Sequence, residues 1–279
     1  MKKIDILKFI MSFLVIIIHV FCSPDVRYET SSYIGFYTVN TICRLAVPFF
    51  FLCSGYFCNI HSLKTVKRLT LLYVIWSIIY YPINEFSLVQ FLFKGSVFHL
   101  WYIAYSIWGL LLIYFLSKKV SINNIMAGSF FFYVVLYLSG INNQFFFAVF
   151  MLALGQCMRD AKVVDKKTNI WLLIISLISL VIEINTIDTN VAVYLSLVPA
   201  VVALFNLAKD ENAGKGLSLL RKSSTLIYFS HVYIMRIVVA FTVQPWLALI
   251  ITSVITFAIS VFIIKLSEIN TFKFLKNLY

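Results

Sequence analysis

Apolar residues run through this chain in blocks of about 17 to 22, with short polar clusters between them, and a block of that length matches the hydrocarbon thickness of a bilayer as an α-helix. Ten such spans are predicted, at roughly 4–22, 34–58, 69–84, 98–116, 123–140, 144–158, 169–185, 190–208, 223–243 and 246–264. The blocks are continuously apolar, whereas strands of an outer-membrane barrel alternate apolar and polar positions. The pattern therefore predicts an all-α, polytopic membrane protein of about ten transmembrane helices. The connecting loops are short, so 1–279 reads as a single membrane-embedded domain with no separate soluble domain.

Composition agrees. Of 279 residues, 62% are hydrophobic and 12% charged, too little polar surface for a soluble domain of this size. The net charge of +12 is distributed as topology signal and not as a nucleic-acid surface. With the N-terminus inside, eighteen Lys and Arg fall in inner segments, among them Lys2, Lys3, Lys64, Lys67, Arg68, Lys118, Lys119, Arg159, Lys166 and Lys167. Only Arg27 and Lys94 fall in outer loops, which places both termini in the cytoplasm. Met-Lys-Lys ahead of an apolar run has the look of a signal peptide, but Lys8 and His19 interrupt the run and no small-x-small cleavage site follows. The first span is expected to stay. The five cysteines, at 22, 43, 53, 58 and 157, form no CxxC pair and read as small packing residues; neither they nor the histidines have metal-ligand spacing.

The informative positions are the ionisable ones inside the spans, because such residues are costly in a membrane and mark a pathway, a pair or a reaction site. In the first span, Asp5, Lys8, Ser12 and His19 lie within about 60° of arc and climb about 16 Å from Lys8 to His19. They form one polar stripe that must face the bundle interior. In the second, Asn40, Arg44, Pro48, Phe51 and Ser54 share a broad face, and Pro48 is expected to kink the helix near Arg44. Gly55 permits a close helix approach. Ser224, Tyr228 and His231 share a face of the ninth span. Plainer readings exist for each. Lys8 can snorkel, a membrane histidine can serve a helix contact, and Arg44 can pair with Glu183. "FHLWYIAY" at 98–105 can be an interfacial aromatic belt, and His231 reads as a structural or substrate-contacting residue before it reads as a second base.

With these residues in view, the chain resembles the acyltransferase 3 family of integral-membrane acyltransferases. "DILKFIMSFLVIIIHV" looks like the family's opening helix, with a basic residue eleven positions before a histidine, here Lys8 and His19. "RLAVPFFFLCSGYF" (44–57) is similar to its R-x-x-VPxFFxxSGY segment, the most specific match. "KRLTLLYVIWSI" (67–78), "HLWYI" (99–103) and "STLIYFSHVYI" (224–234) follow in order. Lys8 stands where many members have Arg, and Lys64, Lys67 and Arg68 stand where several carry two arginines.

The resemblance implies transfer of an acyl group, usually acetyl, from cytoplasmic acetyl-CoA to a hydroxyl on an extracytoplasmic glycan or cell-envelope acceptor, in the cell membrane of a bacterium. It casts His19 as base or acyl relay and Arg44 as oxyanion stabiliser. Lys8, Lys64, Lys67 and Arg68 become donor-binding residues, and Ser54, His99, Trp101, Tyr228 and His231 substrate-binding ones. Expected partners are the lipid bilayer, the glycan acceptor, and a second copy or a glycan-synthesis protein; no metal or nucleic acid is expected. Two other readings remain open at this point, a transporter or flippase without acyl chemistry and a non-catalytic scaffold.

Overall fold

The computed structural model describes residues 2–23, 39–81, 87–96, 99–141, 144–161, 164–186, 195–209 and 217–279. Among these, every regular element is helical. In chain order they are α1 (Lys2–Phe21), α2 (39–43), α3 (Ala46–Phe57), α4 (Lys64–Tyr80), a π-helical turn (Gln90–Lys94), α5 (Trp101–Leu116), α6 (Ile122–Leu138), α7 (Gln144–Asp160), α8 (Lys166–Thr186), α9 (Leu197–Ala208), α10 (Ser218–Val239), α11 (Pro245–Leu266) and a 3₁₀-helix (Asn270–Leu278). Each of the ten predicted spans falls on a helix, the second on α2 and α3 together. By length and composition, Lys2–Phe21, Val39–Phe57 and Pro245–Leu266 can each cross a membrane, while Trp101–Leu116, Ile122–Leu138 and Leu197–Ala208 are shorter apolar helices. The expected bend at Pro82 and the outer segment around Arg27 lie outside the described residues.

Helix boundaries follow local chemistry. Pro48 has no N–H to offer the Arg44 carbonyl, and the second span is interrupted one turn earlier. At that break Arg44 and Leu45 donate to Thr41 and Ile42, a tighter i→i−3 pattern, at 3.2 and 3.1 Å. Ser121 caps α6 by accepting from the Asn124 amide. Asp165 precedes α8, taking the Thr168 amide at 3.0 Å and its hydroxyl at 2.6 Å. These two donors, the hydroxyl first, hold the Asp165 carboxyl below its ordinary value. Pro245 starts α11, where its missing donor costs nothing.

The chain divides into two compact units. The first comprises residues 1–46 and 199–279, the second 47–198. The first unit gathers both ends of the chain.

In the first unit α1, α10 and α11 pack on one another. Ile16 and Val20 of α1, Ile227, Ile234, Met235 and Val238 of α10, and Ala248 of α11 form its core. Edge-to-face aromatic pairs tie α1 to α11 at two levels, Phe9 on Phe257 and Phe21 on Trp246, each at 5.4 Å between ring centres. Such pairs contribute about 0.5–1.5 kcal/mol each beyond their buried area.

In the second unit α7 packs against α5 and α6, and α5 against α4. α3 meets α7 through two glycines. A Cβ at Gly55 would run into the Leu152 backbone, and one at Gly155 into the backbones of Leu52 and Tyr56. Carbonyls at the C-terminal end of α3 and just beyond it accept from α7 side chains. Gln156 Nε2 donates to the Cys58 carbonyl at 2.6 Å and to that of Gly55, and Arg159 donates to the Cys58 carbonyl at 3.1 Å. The π-helical turn is held the same way. Tyr73 of α4 donates its hydroxyl to the Phe91 carbonyl and accepts the Ser96 amide, and Trp108 of α5 donates to the Leu92 carbonyl.

Glu183 is a capping residue of the second unit. Its carboxylate accepts from the Tyr137 hydroxyl, the Leu195 amide at 3.0 Å, and the amide (2.9 Å) and hydroxyl of Ser196. It thereby caps the start of α9, where a negative charge also suits the helix dipole. The separation of twelve positions between Glu183 and Leu195 hides such a cap from any local pattern.

Two stability predictions follow from these contacts. Gly55→Ala forces α3 away from α7 and lowers stability by about 1–3 kcal/mol, read as a fall in melting temperature of the purified protein in nanodiscs. Glu183→Ala strips the buried donors at Leu195 and Ser196 of their acceptor and costs about 3 kcal/mol; an unchanged melting temperature would remove the capping role.

Candidate functional site

The polar stripe of α1 faces inward as its spacing requires. Asp5 and Ser12 are buried, and Lys8 and His19 half-buried. Ser12 returns its hydroxyl to the Phe9 carbonyl at 2.6 Å, which satisfies it without a second helix. On α10, Ser224, Tyr228 and His231 are all buried, His231 completely. The two faces meet at their histidines: the rings of His19 and His231 lie 5.0 Å apart, tilted by 33°. Tyr228 stands 6.2 Å from the His231 ring. His231 Nδ1 is bound to two carbonyls of its own helix, Ile227 at 3.0 Å and Tyr228 at 2.7 Å. Arg44 lies in the same unit, half-buried at the break between α2 and α3. Beside it Asn40 donates to the Cys22 sulfur at 3.3 Å, joining α2 to the end of α1.

The other residues singled out by sequence lie in the second unit. Ser54 and Tyr102 share a hydrogen bond of 2.8 Å. Phe51 packs on Tyr102 at 4.6 Å and on Trp101 at 6.0 Å, and Trp101 meets Tyr105 edge-on at 5.7 Å. His99 is 2% exposed and sits edge-to-face on Tyr80 at 4.9 Å. The belt reading of 98–105 therefore fails for the middle of the stretch: His99, Leu100 and Tyr102 are interior residues clamped between α3 and α4. The motif 44–57 is explained piece by piece. Arg44 marks the break, Phe51 and Ser54 hold the α5 aromatics, and Gly55 admits α7. Tyr102 was missed by the sequence reading, although its place beside Trp101 in "HLWYI" was the available signal.

Lys64, Lys67 and Arg68 project from the first turn and a half of α4, all exposed. Positive charge at a helix N-terminus is unfavourable to the helix itself, since the dipole end there is also positive. No acidic residue offsets it in that turn, and Leu63 provides no side-chain cap. The arrangement suits an anion.

The first unit thus holds a pair of imidazoles between α1 and α10, and the second separately holds a basic helix start and a cluster of packed aromatics around Tyr102. Comparison with known proteins assigns the chain to a class. It is 28% identical over 280 residues to an amino-acid racemase of Enterococcus faecalis, which aligns 82% of this chain with 39% of that protein. A second Enterococcus faecalis amino-acid racemase is 24% identical over 170 residues, covering 52% of this chain and 23% of its own length. The chain thus spans well under half of these relatives, and their name describes the longer proteins. No solved structure matches. The model of the acyltransferase domain family matches residues 1–265, nearly the whole chain, and the protein belongs to that family, acyltransferase 3.

Proposed function

We propose that the protein moves an acetyl group from cytoplasmic acetyl-CoA to a hydroxyl of an extracytoplasmic glycan or other cell-envelope acceptor, with His19 at the reacting centre. The observation that carries the reading is the placement of His19. It sits near the end of a membrane-length helix, on an inward polar stripe, with a second imidazole against it. A membrane helix gains nothing from such a residue unless it meets a polar reaction or path.

The roles follow from residue chemistry. His19 removes the proton of the attacking hydroxyl or holds the acyl group transiently. Arg44 stabilises the oxyanion of the tetrahedral intermediate, a fixed charge that acts strongly where water is scarce. Lys64, Lys67 and Arg68, at the basic start of α4, take the phosphates of the donor. Lys8 extends this basic character along α1. Ser54, His99 and Trp101 shape the acceptor side of the second unit, and Tyr228 does so in the first. A donor made inside and an acceptor found outside require a polar route through helices, and the stripe from Lys8 to His19 supplies one.

Release of free CoA from acetyl-CoA, measured on the purified protein in nanodiscs with a panel of glycans, tests this directly. His19→Ala is expected to lower glycan-dependent release by about 10²-fold or more while the protein stays folded. Equal rates in the two proteins would eliminate His19 as the base, and no release from the wild type would favour a transporter. Replacing Lys64, Lys67 and Arg68 together by Ala is expected to raise KM for acetyl-CoA by at least about tenfold, ~1.4 kcal/mol of lost binding. An unchanged KM would move donor binding elsewhere.

A further inference from the structure

The hydrogen bonds of His231 fix which of its nitrogens carries the proton. Both partners of Nδ1 are backbone carbonyl oxygens, Tyr228 at 2.7 Å and Ile227 at 3.0 Å. A carbonyl only accepts, so Nδ1 is the N–H nitrogen, and the neutral ring keeps Nε2 as its basic one. Histidine tautomers are otherwise close in energy, and this one is set by the helix itself.

The orientation is held on all sides. His231 is completely buried within α10, and the residues around it on that helix, from Leu226 to Val232, are buried as well. Ile16 and Val20, on either side of His19 in α1, belong to the same core cluster as Ile227 and Ile234. The His19 ring is thus kept 5.0 Å from that of His231, centre to centre. A histidine needed only to brace α10 would require the Nδ1 bonds and nothing more. A second imidazole placed against its ring is a further feature, and it has a chemical use.

We propose that His231 is a proton-sharing partner of His19, a positioning residue that acts through His19 and receives a proton at Nε2 during acyl transfer. The inference rests on the acyltransferase reading above. As the acceptor oxygen bonds to the thioester carbonyl carbon, its proton passes to one nitrogen of His19, and the other nitrogen of His19 yields its own proton to Nε2 of His231. When the C–S bond breaks, the sulfur leaves with the electron pair and takes a proton from His19, which recovers one from His231. The products are an ester and a free thiol, and both histidines end neutral. Spreading the transient positive charge over two rings lowers the cost of forming it in a poorly solvated interior. The 5.0 Å ring spacing is a stacking contact, and the hydrogen bond from His19 to Nε2 of His231 forms as substrate binds.

The test is a proton inventory of CoA release in mixtures of H₂O and D₂O. It uses the full chain in nanodiscs, with acetyl-CoA as donor and p-nitrophenyl glycosides of glucose, galactose and N-acetylglucosamine as hydroxyl acceptors. Two protons moving together give a bowed plot for the wild type. His231→Asn keeps an amide N–H for the carbonyls of Ile227 and Tyr228 but has nothing at the Nε2 position. It is expected to lose about 10²-fold in kcat, to keep KM within about threefold, and to give a straight plot. A straight plot for the wild type, or a His231→Asn enzyme within about threefold of wild-type kcat, overturns proton sharing and leaves the acyltransferase reading standing. The wild-type plot decides the matter alone if the variant does not fold. A wild type that releases no CoA with any of the acceptors overturns the acyltransferase reading and this inference with it.

Discussion

An imidazole in hydrocarbon has nowhere to put its polar nitrogens unless another helix or its own backbone receives them. That constraint organises the first unit. His19 near one end of the chain and His231 near the other are brought ring to ring, and the apolar residues flanking them, Ile16, Val20, Ile227 and Ile234, close around the pair. The packing of α1 on α10 supplies dispersion and area. The histidines decide which faces meet, since any other rotation of α1 would turn Asp5, Ser12 and His19 toward lipid.

The same rule governs helix ends. In water an uncapped terminus is solvated cheaply; here several termini are met by side chains from other helices. α7 lends Gln156 and Arg159 to the end of α3, α8 lends Glu183 to the start of α9, and Tyr73 and Trp108 receive the turn between α4 and α5. These side chains are polar or amphipathic residues on otherwise apolar helices. In a hydropathy profile they look like blemishes, yet each closes a backbone hydrogen-bond deficit somewhere else in its unit. The starts of α4 and α10 carry Lys and Arg in their first turns with no acidic residue beside them, so charge there adds to the positive end of each helix dipole.

Much of this was legible from the sequence. Block length located the helical segments, three of them long and apolar enough to cross a membrane, Pro48 located the break before α3, and a 100° period put Asp5 and Ser12 on the buried face of α1 with His19 against α10. The motif resemblance reached the acyltransferase 3 family before any coordinates did, because the R-x-x-VPxFFxxSGY segment is constrained residue by residue: a break, an aromatic contact, a hydroxyl and a glycine crossing. The aromatic stretch 98–105 was harder. Composition alone cannot distinguish aromatics at a membrane interface from aromatics packed inside, and His99 and Tyr102 proved to be interior.

What the sequence determined by itself, then, was everything set by the chain's local dealings with its solvent: which segments are apolar enough to enter a bilayer, where a helix must break, and which face of a helix cannot tolerate lipid. What only the tertiary structure decided was partnership. That Ser54 bonds Tyr102, that Glu183 caps α9, that residues 1–46 and 199–279 make one unit, and that His19 faces His231 are all pairings between distant positions. Each depends on which helix faces which, and a helix's own period states only that one face must be covered, never by what.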